Sequence, residues 1–326
     1  MPSAQPVRFA VTGRIPEAGL ELLRGAGEVS VAETDSPLPR PELLRLVAGA
    51  DALLTLLHTR VDAELLDAAG PRLRCVANVA VGFDNVDLAA AGARGVAVAN
   101  TPGVLDDATA DLTMGLILAA ARRLGEGERL IRSGRPWAWG MSFMLGRELR
   151  GKLLGIVGLG SIGSRVAERA RAFGMQIAYH GRHAADPRLV AGLEAERLGL
   201  EELLGAADVL SLHCPLTSET RHLISAERLA LMKPGSILVN TARGPVVDEA
   251  ALASALREGP LAAAALDVYE HEPEVHPGLL ALENATLVPH LGSATVETRR
   301  AMAELAARNA IAAVRGEPLL TPVTVS

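Results

Sequence analysis

Apolar and polar positions alternate in two successive sets along the chain. In the first hundred residues, short apolar runs (VRFAVTG, EVSVAE, DALLTLL and RLRCVANV) are separated by stretches with helical apolar spacing (PEAGLELLRGAG, PELLRLVAGA and DAELLDAAG), with Gly or Pro at the joints. That alternation predicts βα units around a parallel sheet. A second set begins at residue 152 and runs through LLGIVGLG, MQIAYHG, DVLSLHC, GSILVNT, AAAALDV and ATLVPH. Two α/β domains with parallel sheets are therefore expected. Between the sets, ATADLTMGLILAAARRLGEGERLIRSG reads as one long helix, with Asp106 and Asp107 near its start and arginines toward its end, as the helix dipole prefers. The final stretch, VETRRAMAELAARNAIAAVRGEP, again has helical period and is expected to return to the first domain, which otherwise has little to close it.

Composition narrows the function classes. A formal net charge of -6, with no basic cluster, argues against nucleic-acid binding. The two cysteines, Cys75 and Cys214, sit in strand-like surroundings without metal-ligand spacing, so neither a disulfide framework nor a metal site is expected. No leader-like or membrane-length apolar segment is read, which leads to the expectation of a soluble, cytoplasmic protein. Lys152 and Lys233 are the only lysines, so Schiff-base chemistry has few candidates.

The stretch LLGIVGLGSIGSRVAERARAFG places Gly158, Gly160 and Gly163 in G-x-G-x-x-G spacing, after an apolar strand and at the opening of an amphipathic helix. In that context Gly158 permits the tight turn, Gly160 lets a pyrophosphate approach the backbone, and Gly163 lets helix and strand pack closely. Ser161 and Ile162 would present the first helical N–H groups to the anion. The next strand ends in Gly181 and Arg182, where an acid would hold the ribose hydroxyls of NAD. Gly181 removes the repulsion such an acid exerts on a 2′-phosphate, and Arg182 offers a planar charged fork. NADP(H) is the favoured cofactor on this reading and NAD(H) remains possible; Arg182 as a solvated turn residue is the alternative.

Arg243, Glu272 and His290 each sit just beyond a strand pattern of the second domain, where open α/β sheets bind ligands. With them the chain carries NVAVGFDNVD, NTPGVLDDATADLTMGLILAAARR, GLGSIG, HCPLTSETRHLI, KPGSILVNTARGPVVDE, ALDVYEHEP and PHLGSAT in that order. From about residue 50 to 315 the sequence resembles the NAD(P)-dependent D-2-hydroxyacid dehydrogenases, and within them most the glyoxylate/hydroxypyruvate reductases. The resemblance implies two Rossmann-like or flavodoxin-like domains. Residues 101–286 would form the nucleotide-binding domain, inserted into a substrate domain of residues 1–100 plus 287–326.

It also implies that Arg243, Glu272 and His290 are catalytic. Reducing a 2-oxo acid requires a proton donor at the carbonyl oxygen, and histidine titrates in the right range. Glu272 would favour and orient the imidazolium, while Arg243 would pair with the substrate carboxylate and polarise the carbonyl. The loop Ala80, Val81 and Gly82 would offer backbone N–H groups to the substrate. Pro215, Thr241 and Asp267 would join the cofactor side, Asp267 at the nicotinamide carboxamide. Trp139 would reach a neighbouring subunit's active site in a homodimer. The expected activity is reduction of glyoxylate and hydroxypyruvate. Another activity of the family on a phosphorylated or bulkier acid, and a nucleotide-sensing corepressor-like protein, stay open at this point.

Overall fold

The computed structural model describes residues 6–324, and its chain divides into two compact units, residues 1–105 with 294–326 and residues 106–293. In the first unit, β1 (Arg8–Val11), α1 (Glu17–Arg24), β2 (Glu28–Val31), α2 (Arg40–Val47), β3 (Ala52–Thr55), α3 (Ala63–Ala69), β4 (Cys75–Asn78), α4 (Leu88–Ala93) and β5 (Ala97–Ala99) alternate strictly. All five strands are parallel, in the order β2-β1-β3-β4-β5. β3 and β4 are buried along their whole length, which is why their sequences read as largely apolar runs, each ending in one buried polar residue, Thr55 and Asn78.

The second unit opens with α5 (Asp106–Ala121) and α6 (Leu124–Arg132). Then come β6 (Leu153–Val157), α7 (Ser161–Ala172), β7 (Gln176–His180), α8 (Pro187–Leu193), β8 (Glu196–Arg197), α9 (Leu200–Ala206) and β9 (Val209–Leu212). It closes with α10 (Ala226–Ala230), β10 (Ile237–Asn240), α11 (Glu249–Glu258), β11 (Ala263–Leu266), α12 (Pro277–Leu280) and β12 (Ala285–Leu287). Its seven parallel strands run in the order β12-β11-β10-β9-β6-β7-β8, so the strand order reverses between β6 and β9. That reversal is the switch point at which doubly wound sheets bind nucleotides. Layers of buried Leu, Ile, Val and Ala cover both faces, one under α9 to α11 and one under α5 and α7. Arg169 of α7 binds Asp107 and Asp111 of α5 at 2.9 and 2.5 Å, tying the two helices on one face together.

The long helix read from the sequence is two helices. Arg123 takes a left-handed φ of 55° between them, and the N–H of Arg147 donates to the Ala121 carbonyl at 2.8 Å, occupying an acceptor at the end of α5. The inserted unit ends at Ser293 rather than at 286, because β12 is the edge strand of its sheet and His290 to Gly292 bond back to Asp267.

α13 (Val296–Arg315) belongs to the first unit and packs on α1, β3 and β4. Fully buried Asn309 on this helix accepts from the N–H groups of Leu320 and Thr321 at 2.9 and 3.1 Å and donates to the Thr321 hydroxyl at 2.8 Å. The same hydroxyl donates to the Asn100 carbonyl at 2.6 Å. The last described turn of the chain is thereby fixed against the residues that follow β5. Among the described residues no helix is long and apolar enough to cross a membrane.

Candidate active site

The candidate cofactor, catalytic and substrate-loop residues each follow the C-terminal end of a strand in their own sheet, whereas Trp139 lies in the loop between α6 and β6. After β6 the chain makes a turn whose three glycines differ in what surrounds them. Gly158 has φ 97°, and a Cβ there would come within 2.9 Å of the His213–Cys214 backbone; one on Gly163 would lie 2.3 Å from the Gly158 carbonyl. Gly160 has open space beside it. Two glycines thus serve packing, and the third leaves a surface that another residue type would fill. Gly160 caps α7, so the first-turn N–H groups of Ser161 and Ile162 have no helical carbonyl to bond. A backbone cradle with a free helix N-terminus suits a pyrophosphate.

Behind this loop lies His213, whose N–H donates to the Val157 carbonyl and whose Nε2 is 2.8 Å from the Ser211 hydroxyl. Burial pushes its imidazole down to about 4. Cys75 in β4 and Cys214 just past β9 are buried free thiols, both pushed up by desolvation.

After β7, Gly181 and Arg182 form an open turn. Arg182 is exposed, its guanidinium 3.9 Å from the exposed carboxylate of Glu219, a pair of little energetic weight. The turn is held from an unanticipated direction: Arg197 of the two-residue edge strand β8 donates to the Gly181 and Arg182 carbonyls at 3.0 and 3.4 Å. After β9, Pro215 is exposed and its carbonyl accepts from Thr220 at 2.6 Å. After β10, Thr241 is buried, with its hydroxyl 3.0 Å from that of Thr113 on α5.

Arg243, Glu272 and His290 follow the adjacent strands β10, β11 and β12. Asn240, the buried last residue of β10, accepts from the Ala242 N–H at 3.0 Å and donates to the Arg243 carbonyl at 2.9 Å, folding the turn that carries Arg243. The next residue packs against the neighbouring loop: a Cβ on Gly244 would fall 1.9 Å from the Tyr269 carbonyl carbon. The Glu272 loop is closed by two glutamates that exchange backbone bonds. The Glu249 N–H donates to Glu270 at 3.0 Å and the Glu270 N–H to Glu249 at 2.6 Å, while His222 meets the outer Glu270 oxygen at 2.8 Å.

Glu272 accepts from the Tyr269 N–H at 3.1 Å and its other oxygen lies 2.8 Å from His290 Nδ1, leaving Nε2 as the outward group of the ring. Burial alone would raise the Glu272 carboxyl. The hydrogen bond and charge of His290, the Tyr269 N–H and the Arg243 charge outweigh it and hold the group below the usual carboxylate range.

His290 itself has a left-handed φ of 53°, a conformation that costs a non-glycine residue about 1 kcal/mol. It is held there by Asp267, whose backbone carbonyl accepts from the His290 N–H at 2.9 Å. The Asp267 carboxylate takes the N–H groups of Leu291 and Gly292 at 2.5 and 2.8 Å. Burial raises the Asp267 carboxyl, although those N–H groups and the His290 charge oppose it.

In the first unit, Ala80, Val81 and Gly82 follow β4. All three carbonyls accept: Ala80 from the Thr101 N–H at 2.8 Å, Val81 from Asn100 Nδ2 at 2.7 Å and Gly82 from Asn78 Nδ2 at 2.8 Å. Among the described residues no acceptor takes up the N–H groups of this loop.

The profile described as "D-isomer specific 2-hydroxyacid dehydrogenase, NAD binding domain" matches residues 114–292. A glyoxylate reductase of Thermococcus onnurineus is 50% identical over 314 residues, covering 95% of this chain and 93% of that protein. The crystal structure of the TT0316 protein from Thermus thermophilus superposes with a TM-score of 0.91 at 48% identity, covering 98% of this chain and 100% of that one. An NADPH-dependent glyoxylate/hydroxypyruvate reductase from Sinorhizobium meliloti, solved with NADP and malonate, gives 0.85 at 37% identity, covering 98% and 97%.

His213 makes the fold acid-sensitive in a defined window. A base whose folded value, about 4, lies below its unfolded 6.5 contributes stability above pH 6.5 that is lost as pH falls toward 4. Urea midpoints measured at pH 7 and pH 5 should therefore fall more in the wild type than in His213→Gln. An equal fall in both would place the sensitivity in another group.

Proposed function

The chain belongs to the D-isomer-specific 2-hydroxyacid dehydrogenase family of oxidoreductases, with a nucleotide-binding domain for a nicotinamide cofactor, and from this we propose that it is an NADPH-preferring reductase of small 2-oxo acids. The substrates on this reading are glyoxylate, giving glycolate, and hydroxypyruvate, giving D-glycerate. The carrying observation is the His290–Glu272 pair: Glu272 holds Nδ1 at 2.8 Å, which directs the one remaining ring nitrogen outward as a proton donor.

The bound nicotinamide supplies the hydride. His290 Nε2 gives its proton to the carbonyl oxygen as charge develops there, and ionised Glu272 stabilises the imidazolium while fixing the ring. Arg243 supplies positive charge for the substrate carboxylate and the polarised carbonyl. Ala80, Val81 and Gly82 supply backbone donors for the carboxylate. Gly158 to Gly163 carry the pyrophosphate, and Pro215, Thr241 and Asp267 serve the cofactor further along the sheet.

Replacing His290 with Ala should lower kcat for glyoxylate reduction by about 10³-fold, the range of general acid catalysis. Glu272→Gln removes the charge beside the imidazolium, so the alkaline limb of the reductive pH profile should move to lower pH. Steady-state rates across pH 5–9 read both; a limb that stays in place would remove Glu272 from the acid's environment.

NADPH preference rests on Gly181 and Arg182. No carboxylate stands at the two positions after β7, and among the described residues the Arg182 guanidinium has only an exposed, 3.9 Å contact with Glu219 to give up. The S. meliloti reductase described as NADPH-dependent supports the same reading. A Cβ on Gly181 meets the His183 carbonyl at 3.3 Å, so Gly181→Asp fits with a small shift. It should move the kcat/KM ratio for NADPH over NADH at least tenfold toward NADH, and an unchanged ratio would leave Arg182 as a turn residue.

We also propose a homodimer. Leu124, Ile131, Trp137, Trp139, Met141 and Leu145 are all exposed within one stretch of the second unit, Trp139 and Met141 at 77% and 80%. Trp137 stacks on Phe143, so the loop holds its apolar side chains outward on a braced ring pair. An apolar run of this kind is characteristic of a covered surface. Light scattering should find a dimer for the wild type and a monomer for Met141→Asp; a monomeric wild type would refute the assembly.

A further inference from the structure

Asn78 ends β4 with its side chain fully buried, and its amide bonds the neighbouring strand β3 and the loop that follows β4. Its Oδ1 accepts from the Thr55 hydroxyl at 2.9 Å and from Asn85 Nδ2 at 3.1 Å; its Nδ2 donates to Asn85 Oδ1 at 3.1 Å and to the Gly82 carbonyl at 2.8 Å. Two amides, seven residues apart, therefore pair reciprocally and close the loop at its base. Asn85 is tied in turn to the Leu56 and Thr59 carbonyls at 3.3 and 3.0 Å.

The bonds within the loop are one-sided. Donors from Asn78, Asn100 and Thr101 take the carbonyls of Gly82, Val81 and Ala80, while the three N–H groups find no acceptor among the described residues. Ala80 is buried and Val81 and Gly82 are half-buried, so their N–H groups need an acceptor from outside the loop, and successive backbone donors of this kind suit an anion in exchange for water. Each peptide unit joins the carbonyl of one residue to the N–H of the next and cannot turn one without the other, so anchoring the Ala80, Val81 and Gly82 carbonyls fixes which way the N–H groups of Val81, Gly82 and Phe83 face.

We infer that Asn78, seconded by Asn100, is a positioning residue for recognition of the substrate carboxylate: Asn78 anchors the Gly82 carbonyl and with it the Phe83 N–H, Asn100 anchors the Val81 carbonyl and with it the Gly82 N–H, and together they hold the loop's donors as a preformed anion site. This rests on the reading that residues 80–82 bind the carboxylate. Asn78→Asp keeps the shape but replaces the donating NH2 with an acceptor facing the Gly82 carbonyl and Asn85 Oδ1. The anchor is lost, and the loop gains a negative charge beneath an anion site.

The experiment has two arms. In the wild type, amide resonances of Val81 and Gly82 are followed by NMR as oxamate is added to the NADPH complex. In Asn78→Asp, KM and kcat for glyoxylate are measured alongside the NADPH Kd. The expected result is that both amides shift on oxamate addition and that the variant raises KM at least tenfold, with kcat changed less than threefold and NADPH affinity within twofold. Shifted amides with an unchanged KM would overturn the role of Asn78 while keeping the loop as the carboxylate site; unmoved amides would overturn the loop reading and the inference with it. A loss of kcat without a rise in KM would mark Asn78 as merely structural. If Asn78→Asp does not fold, Asn100→Ala, which removes only the anchor on the Val81 carbonyl, is judged by the same KM criterion.

Discussion

The Asp267 carboxylate is the interaction on which the geometry of the second unit's site depends. It is buried at the end of β11, and what keeps a charged group there is a pair of backbone N–H groups from the chain emerging beyond β12. Those two bonds, with the one from the His290 N–H to the Asp267 carbonyl, hold His290 in a backbone conformation it would not choose. The imidazole direction is thus set by the main chain before Glu272 touches it, and Glu272 then selects the nitrogen left outward. Preorganisation of this kind removes a search the ring would otherwise make in each turnover.

The two units solve the same local problem alike. A loop beyond a parallel strand must present chosen groups while its remaining polar atoms are satisfied. Asn240 at the end of β10 and Asn78 at the end of β4 do this with one buried amide each, bonding a carbonyl three or four residues onward. Asparagine suits the task because it carries donor and acceptor on one short side chain. Strand-end position puts that side chain beside the last hydrogen-bonded neighbours of the sheet, where it is rigid.

Much of the architecture was legible. Fully buried strands wrote themselves as apolar runs, and the G-x-G-x-x-G turn between β6 and α7 was readable from its context. What escaped shares a physical cause: the partner is main chain, or is distant in sequence. The break between α5 and α6 depends on an N–H contributed by Arg147, which no periodicity around residue 122 could reveal. Arg197 holds the Gly181 turn from a strand of two residues, too short to show a pattern. Asn78 stands inside the NVAVGFDNVD motif, and its amide pairing with Asn85 is invisible until the loop is closed. Gly244 carries no pattern of its own in the sequence, yet the Tyr269 peptide lies where its side chain would be.

The exchanged bonds between Glu249 and Glu270 bear on how such a sequence can drift. Each carboxylate satisfies the other residue's N–H, so losing either side chain leaves the opposite backbone donor without its partner. Single steps away from the pair are therefore uphill, and a viable route runs through coordinated replacement at both positions. Among descendants of this chain the two sites should covary, as a record of mutual dependence rather than of chemistry, although neither contacts the Glu272–His290 pair in the hydrogen bonds of the fold.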